Sequence, residues 1–338
     1  MLIKCPHCNA TLNEKEDICP FCKANIKEEM GKIRQIQDTP KYSTAFFIKE
    51  ALMSAFKPEP IEVLPSNVAY QRRPPQSLTK YLIIAAIMLG LGASLLFGEL
   101  WLSYLGVTLN CFTIPIVLLA WFLQNDKYDP EPLSLIAYLF GWGAIAGLLS
   151  YYLNPLLYPY LGYGAGAFIE EPLKLFGLYL FAKGKLFGTE VNSHLDGIIY
   201  GASVGAGFAS LENMLYLLSG NVTSVPIALL TRMTTVFCHI AWTAIAARTL
   251  GLALVLRGKM QITDLIPGLL IVIPLHFFWN TFIDIMRGWF ILPITLLIIF
   301  REVNMAVEDE ERWGFRLVGP SEKRVRRRKT SSQTRRGT

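Results

Sequence analysis

The chain has 338 residues, 52% hydrophobic and 17% charged, against about a quarter charged in a typical soluble domain. Mean hydropathy is +0.38, and from Leu133 to Phe300 only 15 of 168 residues are charged. This excludes a soluble globular fold for the middle of the chain, and disorder or a collagen-like fibre with it. The net charge of +6 is local: Ser321 to Thr338 hold eight Lys/Arg and one Glu, so they contribute +7 and the rest of the chain −1. Such a tail reads as solvated, a positive-inside topology signal rather than a nucleic-acid surface.

The N-terminus carries no apolar leader segment, so the first ~75 residues are expected in the reducing cytoplasm, where thiols bind metal rather than pair. Cys5 and Cys8 form one C-x2-C knuckle, and Cys19 and Cys22 a second, ten residues further on. Four thiolates complete the closed tetrahedral shell that zinc prefers, and a closed shell leaves no position for water, so this zinc is structural. Residues 1–26 resemble a zinc ribbon. Its small size suits docking to a cytoplasmic protein partner or to the chain's own membrane domain. Residues 27–80 form a connector. Within it, TAFFIKEALMSAF has apolar residues at helical spacing, suited either to the membrane surface or to covering the membrane domain. The following KPEPIEVLPSNVAYQRRPPQ, with five prolines, reads as an extended linker.

About 20 apolar residues cross a ~30 Å hydrocarbon layer. Eight such stretches are expected, near 81–98, 101–123, 133–153, 164–182, 197–219, 227–250, 264–285 and 288–302. The fold class is therefore an all-α polytopic membrane protein of about eight transmembrane helices in residues 81–302, with a small N-terminal zinc ribbon and a basic tail, 303–338. With both termini in the cytoplasm, Lys127, Lys183, Lys185, Arg257 and Lys259 fall on the inner side of a multi-pass protein of the cell membrane. Gly201 with Gly205, and Ser203 with Gly207, give the small-xxx-small spacing that lets helices approach closely.

Charges in hydrocarbon are costly and by default mark a function. Span four carries Glu170, Glu171 and Lys174; span five, Glu212 and Asn213; span six, Arg232 and His239; span seven, His276, Asn280 and Asp284. At ~1.5 Å per residue the acids and histidines lie about 9 to 17 Å below the outer ends of their spans. Span direction alternates, yet the groups converge on one layer. This predicts a polar cavity opening outward. Glu170 and Lys174, at i and i+4, share a helix face. Paired carboxylates beside an ammonium suit general acid/base work. Arg232, Arg248 and Asp284 read either as structural pairs or as parts of the site. Asp196 suits a helix N-terminus, and His194 is expected in a cytoplasmic loop away from the cavity.

FIEEPLK resembles the EExxK motif, and FASLEN the FxxxEN motif, of the PrsW family of intramembrane proteases. DGIIYGASVGAGFASLENMLY, His239 in FCHIAWTA, the H-x-x-x-N of His276 and Asn280, and KYDPEP before span three are similar as well. The resemblance covers residues ~125 to 285. It implies a hydrolase that cuts membrane-anchored protein substrates, in bacteria in regulated proteolysis of the anti-sigma-factor kind. Carried over by position, Glu170, Glu171, Glu212 and His239 become catalytic candidates, followed by His276 and Asn280, with Lys174 part of the EExxK set. In a metal version, Glu212, His239 and His276 hold a second, catalytic zinc, and Glu170 or Glu171 deprotonates its water. In a metal-free version, Glu170 with His239 or Glu212 activates water, while His276 and Asn280 serve the oxyanion. A proton- or ion-coupled transporter could use the same buried Glu and His residues, and a non-catalytic scaffold could use the ribbon alone.

Overall fold

The computed structural model describes residues 2–4, 11–13, 18–19, 44–56, 79–97, 99–126, 130–184, 190–191, 193–219, 224–257, 259–282 and 287–312. The expected zinc ligands Cys5, Cys8 and Cys22, the proline-rich linker, Asp284 and residues 313–338 of the basic tail lie outside the described residues. Near the N-terminus, β1 (Leu2–Lys4) pairs antiparallel with β2 (Thr11–Asn13), Ile3 opposite Leu12, and Cys19 is buried.

The helices follow in order: α1 (Thr44–Phe56), α2 (Thr79–Leu95), α3 (Leu100–Asn125), α4 (Leu133–Leu153), α5 (Gly166–Lys183), α6 (His194–Leu218), α7 (Val225–Arg257), α8 (Ile266–Thr281) and α9 (Leu292–Arg312). Each of the eight expected spans thus has a helix at its place. Five of these helices, α3, α4, α7, α8 together with the helical turn Ile262–Leu265 that leads into it, and α9, are long and apolar enough to cross a membrane; α2 is apolar but 17 residues long. The remaining two, α5 and α6, carry the acids.

The reason α6 can carry its polar residues is its position. Every residue from His194 to Ser210 is buried, so its faces meet protein instead of lipid. The small residues make this possible. A Cβ on Gly207 would run into the carbonyl of Phe140 in α4, and one on Gly143 of α4 into that of Val204, so the backbones of α4 and α6 touch. On the other side, a Cβ on Gly205 would sit 2.6 Å from the His239 carbonyl oxygen of α7. The small-xxx-small reading holds, and the close approach it permits brings α7 and its histidine against the central helix.

The far end of α6 is fastened by polar contacts. The Ser193 amide donates to Asp196 Oδ2 (2.8 Å) and the Asp196 amide to Ser193 Oγ (3.2 Å), a capping box. Asp196 is structural, as expected. His194 is not in a loop: it opens α6, is buried, and lies 3.4 Å from Asp309 of α9. Glu131, in the KYDPEP stretch, accepts from the Tyr200 hydroxyl of α6, and its amide donates to Asp126 Oδ2 (2.8 Å). Burial, with Asp196 and Asp126 nearby, pushes the Glu131 carboxyl well above the usual carboxylate range.

The connector helix α1 covers this end of α7. Phe47 and Ala51 are buried against Leu252 and Ala253. Arg248 of α7 donates to the Ala51 carbonyl (2.9 Å) and to Ser54 Oγ (3.1 Å), and pairs with Glu302 of α9 at 3.1 Å. These contacts pack α1 against α7, in keeping with the covering reading of this segment, and place Arg248 in an ion pair with α9.

Candidate active site

The site grows from α5. Glu170, Glu171 and Lys174 occupy one side of this helix, and all three are buried, the latter two completely. Pro172, inside the helix, removes the backbone donor for the Phe168 carbonyl next to the acid pair. Lys174 Nζ donates to Glu171 Oε1 at 2.6 Å and lies 3.4 Å from His239 Nδ1 of α7. It also stands 4.6 Å from the ring centroid of Phe208 in α6, a cation–π contact. From α8, His276 Nδ1 meets Glu171 Oε1 at 2.7 Å, and its Nε2 is 3.6 Å from Glu170 Oε2. The two imidazole rings are edge-on, with centroids 5.0 Å apart.

Glu170, His239 and His276 each offer one ligand atom within 4.8 Å of the others, the one group among the described residues able to hold a metal ion in this way. All three are buried. Glu212, which the sequence reading placed among the ligands, is not in that group. Its Oε2 lies 3.1 Å from His239 Nε2 and accepts from Arg232 Nη2 at 2.8 Å, while Arg232 Nε donates to the Asn213 side chain. Arg232 is therefore tied to the site through the Glu212–Asn213 pair, with its guanidinium 4.3 Å from the Tyr216 ring.

Asn280 does not join the cluster. One turn beyond His276, it donates to the Tyr163 carbonyl at 3.4 Å. Two residues outside the sequence-derived set do contact it. Asn154, in the turn after α4, donates to Glu170 Oε1 at 2.7 Å and is buried. Trp242, three residues after His239, stacks on His276 at 4.8 Å and 25°, and its indole N–H donates to Thr295 of α9. The i, i+3 step from His239 was a visible signal for Trp242. For Asn154 the signal was a lone amide in the apolar run YYLNPLL.

The charges balance nearly within the site: three carboxylates face one ammonium and one guanidinium. Two imidazoles and a carboxylate form the mixed nitrogen/oxygen donor set typical of catalytic zinc held by three protein ligands. Glu170 Oε2 is buried without a hydrogen-bond partner, an oxygen suited to a cation. The residues therefore fit a divalent metal.

The model of the PrsW family, described as "PrsW family intramembrane metalloprotease", matches residues 131–303, just over half of the chain. The chain belongs to the PrsW family. Similar proteins include "Protease PrsW" of Bacillus subtilis (strain 168), 28% identical over 193 residues, which cover 54% of this chain and 86% of that protein. "Protease PrsW" of Geobacillus kaustophilus (strain HTA426) is 35% identical over 127 residues, 34% of this chain and 54% of that protein. The Halalkalibacterium halodurans protein of the same name is 34% identical over 157 residues, 43% of this chain and 66% of that protein. No solved structure matches the chain. The PrsW match begins at Glu131 and ends at Val303, so it takes in Glu170, Glu171, Glu212, His239 and His276, and leaves out α1, α2, α3 and everything before them. Membership of the PrsW family, with the apolar helices, makes the chain a multi-pass membrane protein of a peptidase family.

Proposed function

We propose that the chain is an intramembrane endopeptidase that hydrolyses a peptide bond of a membrane-anchored protein at the Glu170, Glu171, His239 and His276 cluster. The observation that carries this reading is the meeting of two carboxylates and two imidazoles from α5, α7 and α8 in one buried site. Glu170, His239 and His276 would hold a catalytic zinc. When bound, the metal supplies Lewis acidity and lowers the pKa of a water at the site.

The chain's own groups set up the rest. Glu171 Oε1 is held by Lys174 and His276, while its Oε2 is buried and unpartnered, and is the oxygen we assign to take the proton from water. With its Nδ1–H given to Glu171, His276 turns the lone pair of Nε2 toward Glu170. An ammonium can only donate, so without a metal His239 Nδ1 accepts from Lys174 and its Nε2–H goes to Glu212; to serve as a ligand, Nδ1 would give up Lys174, which keeps its bond to Glu171. Glu212, anchored by Arg232, thereby orients the His239 ring and takes the supporting role, with Glu170 in the ligand role. Trp242 and Phe208 wall the site with aromatic surface and keep it poor in water. The four N-terminal cysteines would hold a structural zinc, both termini would face the cytoplasm, and the ribbon would meet a cytoplasmic protein in regulated proteolysis.

The test is cleavage of a co-expressed single-span reporter. Glu171→Ala and His239→Ala are expected to lower cleavage by at least about 100-fold, the range for loss of a general base, at equal membrane levels. Unchanged cleavage in both variants overturns the assignment.

A further inference from the structure

Both histidines of the candidate site are followed by a tryptophan three residues on: HIAW runs from His239 to Trp242 in α7, and HFFW from His276 to Trp279 in α8. At that spacing the two rings of a pair share a helix face, and both indoles are buried, Trp242 completely. The two pairs interlock. The Trp242 indole stacks on His276 of the other helix, with centroids 4.8 Å apart at 25°, and stands edge-on to His239 at 5.7 Å and to Trp279 at 6.0 Å. Its N–H donates to Thr295 Oγ1 of α9 at 3.0 Å, and Thr295 is completely buried as well.

An imidazole needs such neighbours. The torsion about its Cβ–Cγ bond has broad wells rather than sharp staggered ones, so the backbone of α8 does not by itself fix the plane of the His276 ring. Glu171 Oε1, 2.7 Å from Nδ1, decides which edge of the ring faces α5. One contact at one atom still lets the ring rock about it. The stack on Trp242 removes that freedom and keeps Nε2 directed at Glu170 Oε2, 3.6 Å away. The stack is in turn only as fixed as the indole, and the bond to Thr295 ties the indole to a third helix. A phenylalanine would fill much of the same space; the N–H is what makes the tie.

We infer that Trp242, held by Thr295, is a positioning residue that sets the plane of the His276 imidazole for binding a divalent metal. This rests on the protease reading in its metal form. The helix α9 supplies none of the candidate ligands, yet through Thr295 it orients one of them. Outer partners of metal-binding histidines are typically worth about 10- to 100-fold in metal affinity or activity, which sets the size of the expected effect.

The test titrates the purified full-length chain in detergent with Co²⁺ and follows the absorption spectrum of the bound ion. The membrane-site signal is the difference from the same chain carrying His276→Ala. Thr295→Val keeps the shape and removes the acceptor; it is expected to weaken Co²⁺ binding at least about tenfold and to shift the d–d bands. Thr295→Ser keeps the hydroxyl and should stay within about twofold of the parent chain. Trp242→Phe should weaken binding as Thr295→Val does, and adding Thr295→Val to it should cost nothing more, because Thr295 acts through the indole. In reporter cleavage the Val variant should lose at least about tenfold in kcat with KM within about twofold. Parent affinity and spectrum in Thr295→Val, or losses that add in the double variant, overturn the positioning role. If Thr295→Val does not fold, Trp242→Phe decides alone, and parent affinity and kcat in it overturn the role as well. A parent chain that cleaves without Co²⁺ at the membrane site counts against the metal and leaves the kcat of the Val and Ser variants to decide the positioning. A parent chain that neither binds nor cleaves overturns the protease reading and the positioning with it.

Discussion

Asn154 shows how much one unanticipated side chain carries. Its amide is the hydrogen-bond partner of Glu170 Oε1, and the other oxygen of that carboxylate has none. Removing it strands a buried carboxylate, so Asn154→Ala is expected to cost about 1–3 kcal/mol of stability. In reporter cleavage kcat should fall with KM little changed, because Glu170 loses its orientation while the rest of the site stays in place; an unaltered kcat would refute the role. The acids and histidines were legible in the sequence because charge in an apolar span has few structural explanations. Asn154 was not, since its partner is 16 residues away across a helix turn. Glu212, expected among the ligands, stands outside the Glu170–His239–His276 group for a physical reason: Arg232, one helix over, pairs with its carboxylate, which meets His239.

At the scale of elements, the decisive contacts are backbone on backbone. Gly207→Ala places a methyl group against the Phe140 carbonyl and has to push α4 off α6, an overpacking cost of typically about 1–3 kcal/mol. Ser203→Ala, four residues earlier, deletes only a hydroxyl bonded within its own helix to Ile199 and should be near neutral. Thermal unfolding in detergent checks both. The docking of α1 makes a second prediction. Arg248→Met leaves Glu302 buried and uncompensated, with a loss of about 3–5 kcal/mol, and the double change with Glu302→Gln should recover most of it. If the double variant is no better than the single one, the loss comes from the Arg248 hydrogen bonds to Ala51 and Ser54 of α1 and not from a stranded Glu302. Helix positions were readable from apolar length and turn residues. The burial of α6 was only half readable: its glycines announced close packing, but nothing in its own sequence said that α4 and α7 would both supply the partner backbone. The same holds for α1, whose pattern suited two surfaces equally.

For the whole molecule, metal content is the integrating measurement. The intact purified protein is expected to bind two zinc ions. Removal of residues 1–26 should leave one, which His276→Ala should then abolish; a single zinc that vanishes with the N-terminal segment would remove the metal from the membrane site. The ion pair within α5 has a further consequence, for biogenesis. Lys174 and Glu171 neutralise each other one turn apart, yet each charged residue at mid-helix opposes insertion by about 2.5–3.5 kcal/mol on translocon scales. A helix with Glu170, Glu171 and Lys174 therefore partitions poorly alone, and His239 and His276 emerge from the ribosome 65 and 105 residues after Lys174 and Glu171. During synthesis α5 has to wait at the translocon, or enter as a hairpin with α6, until its later partners arrive. The charges of the candidate site are thus also a timing constraint on how the nascent chain enters the bilayer.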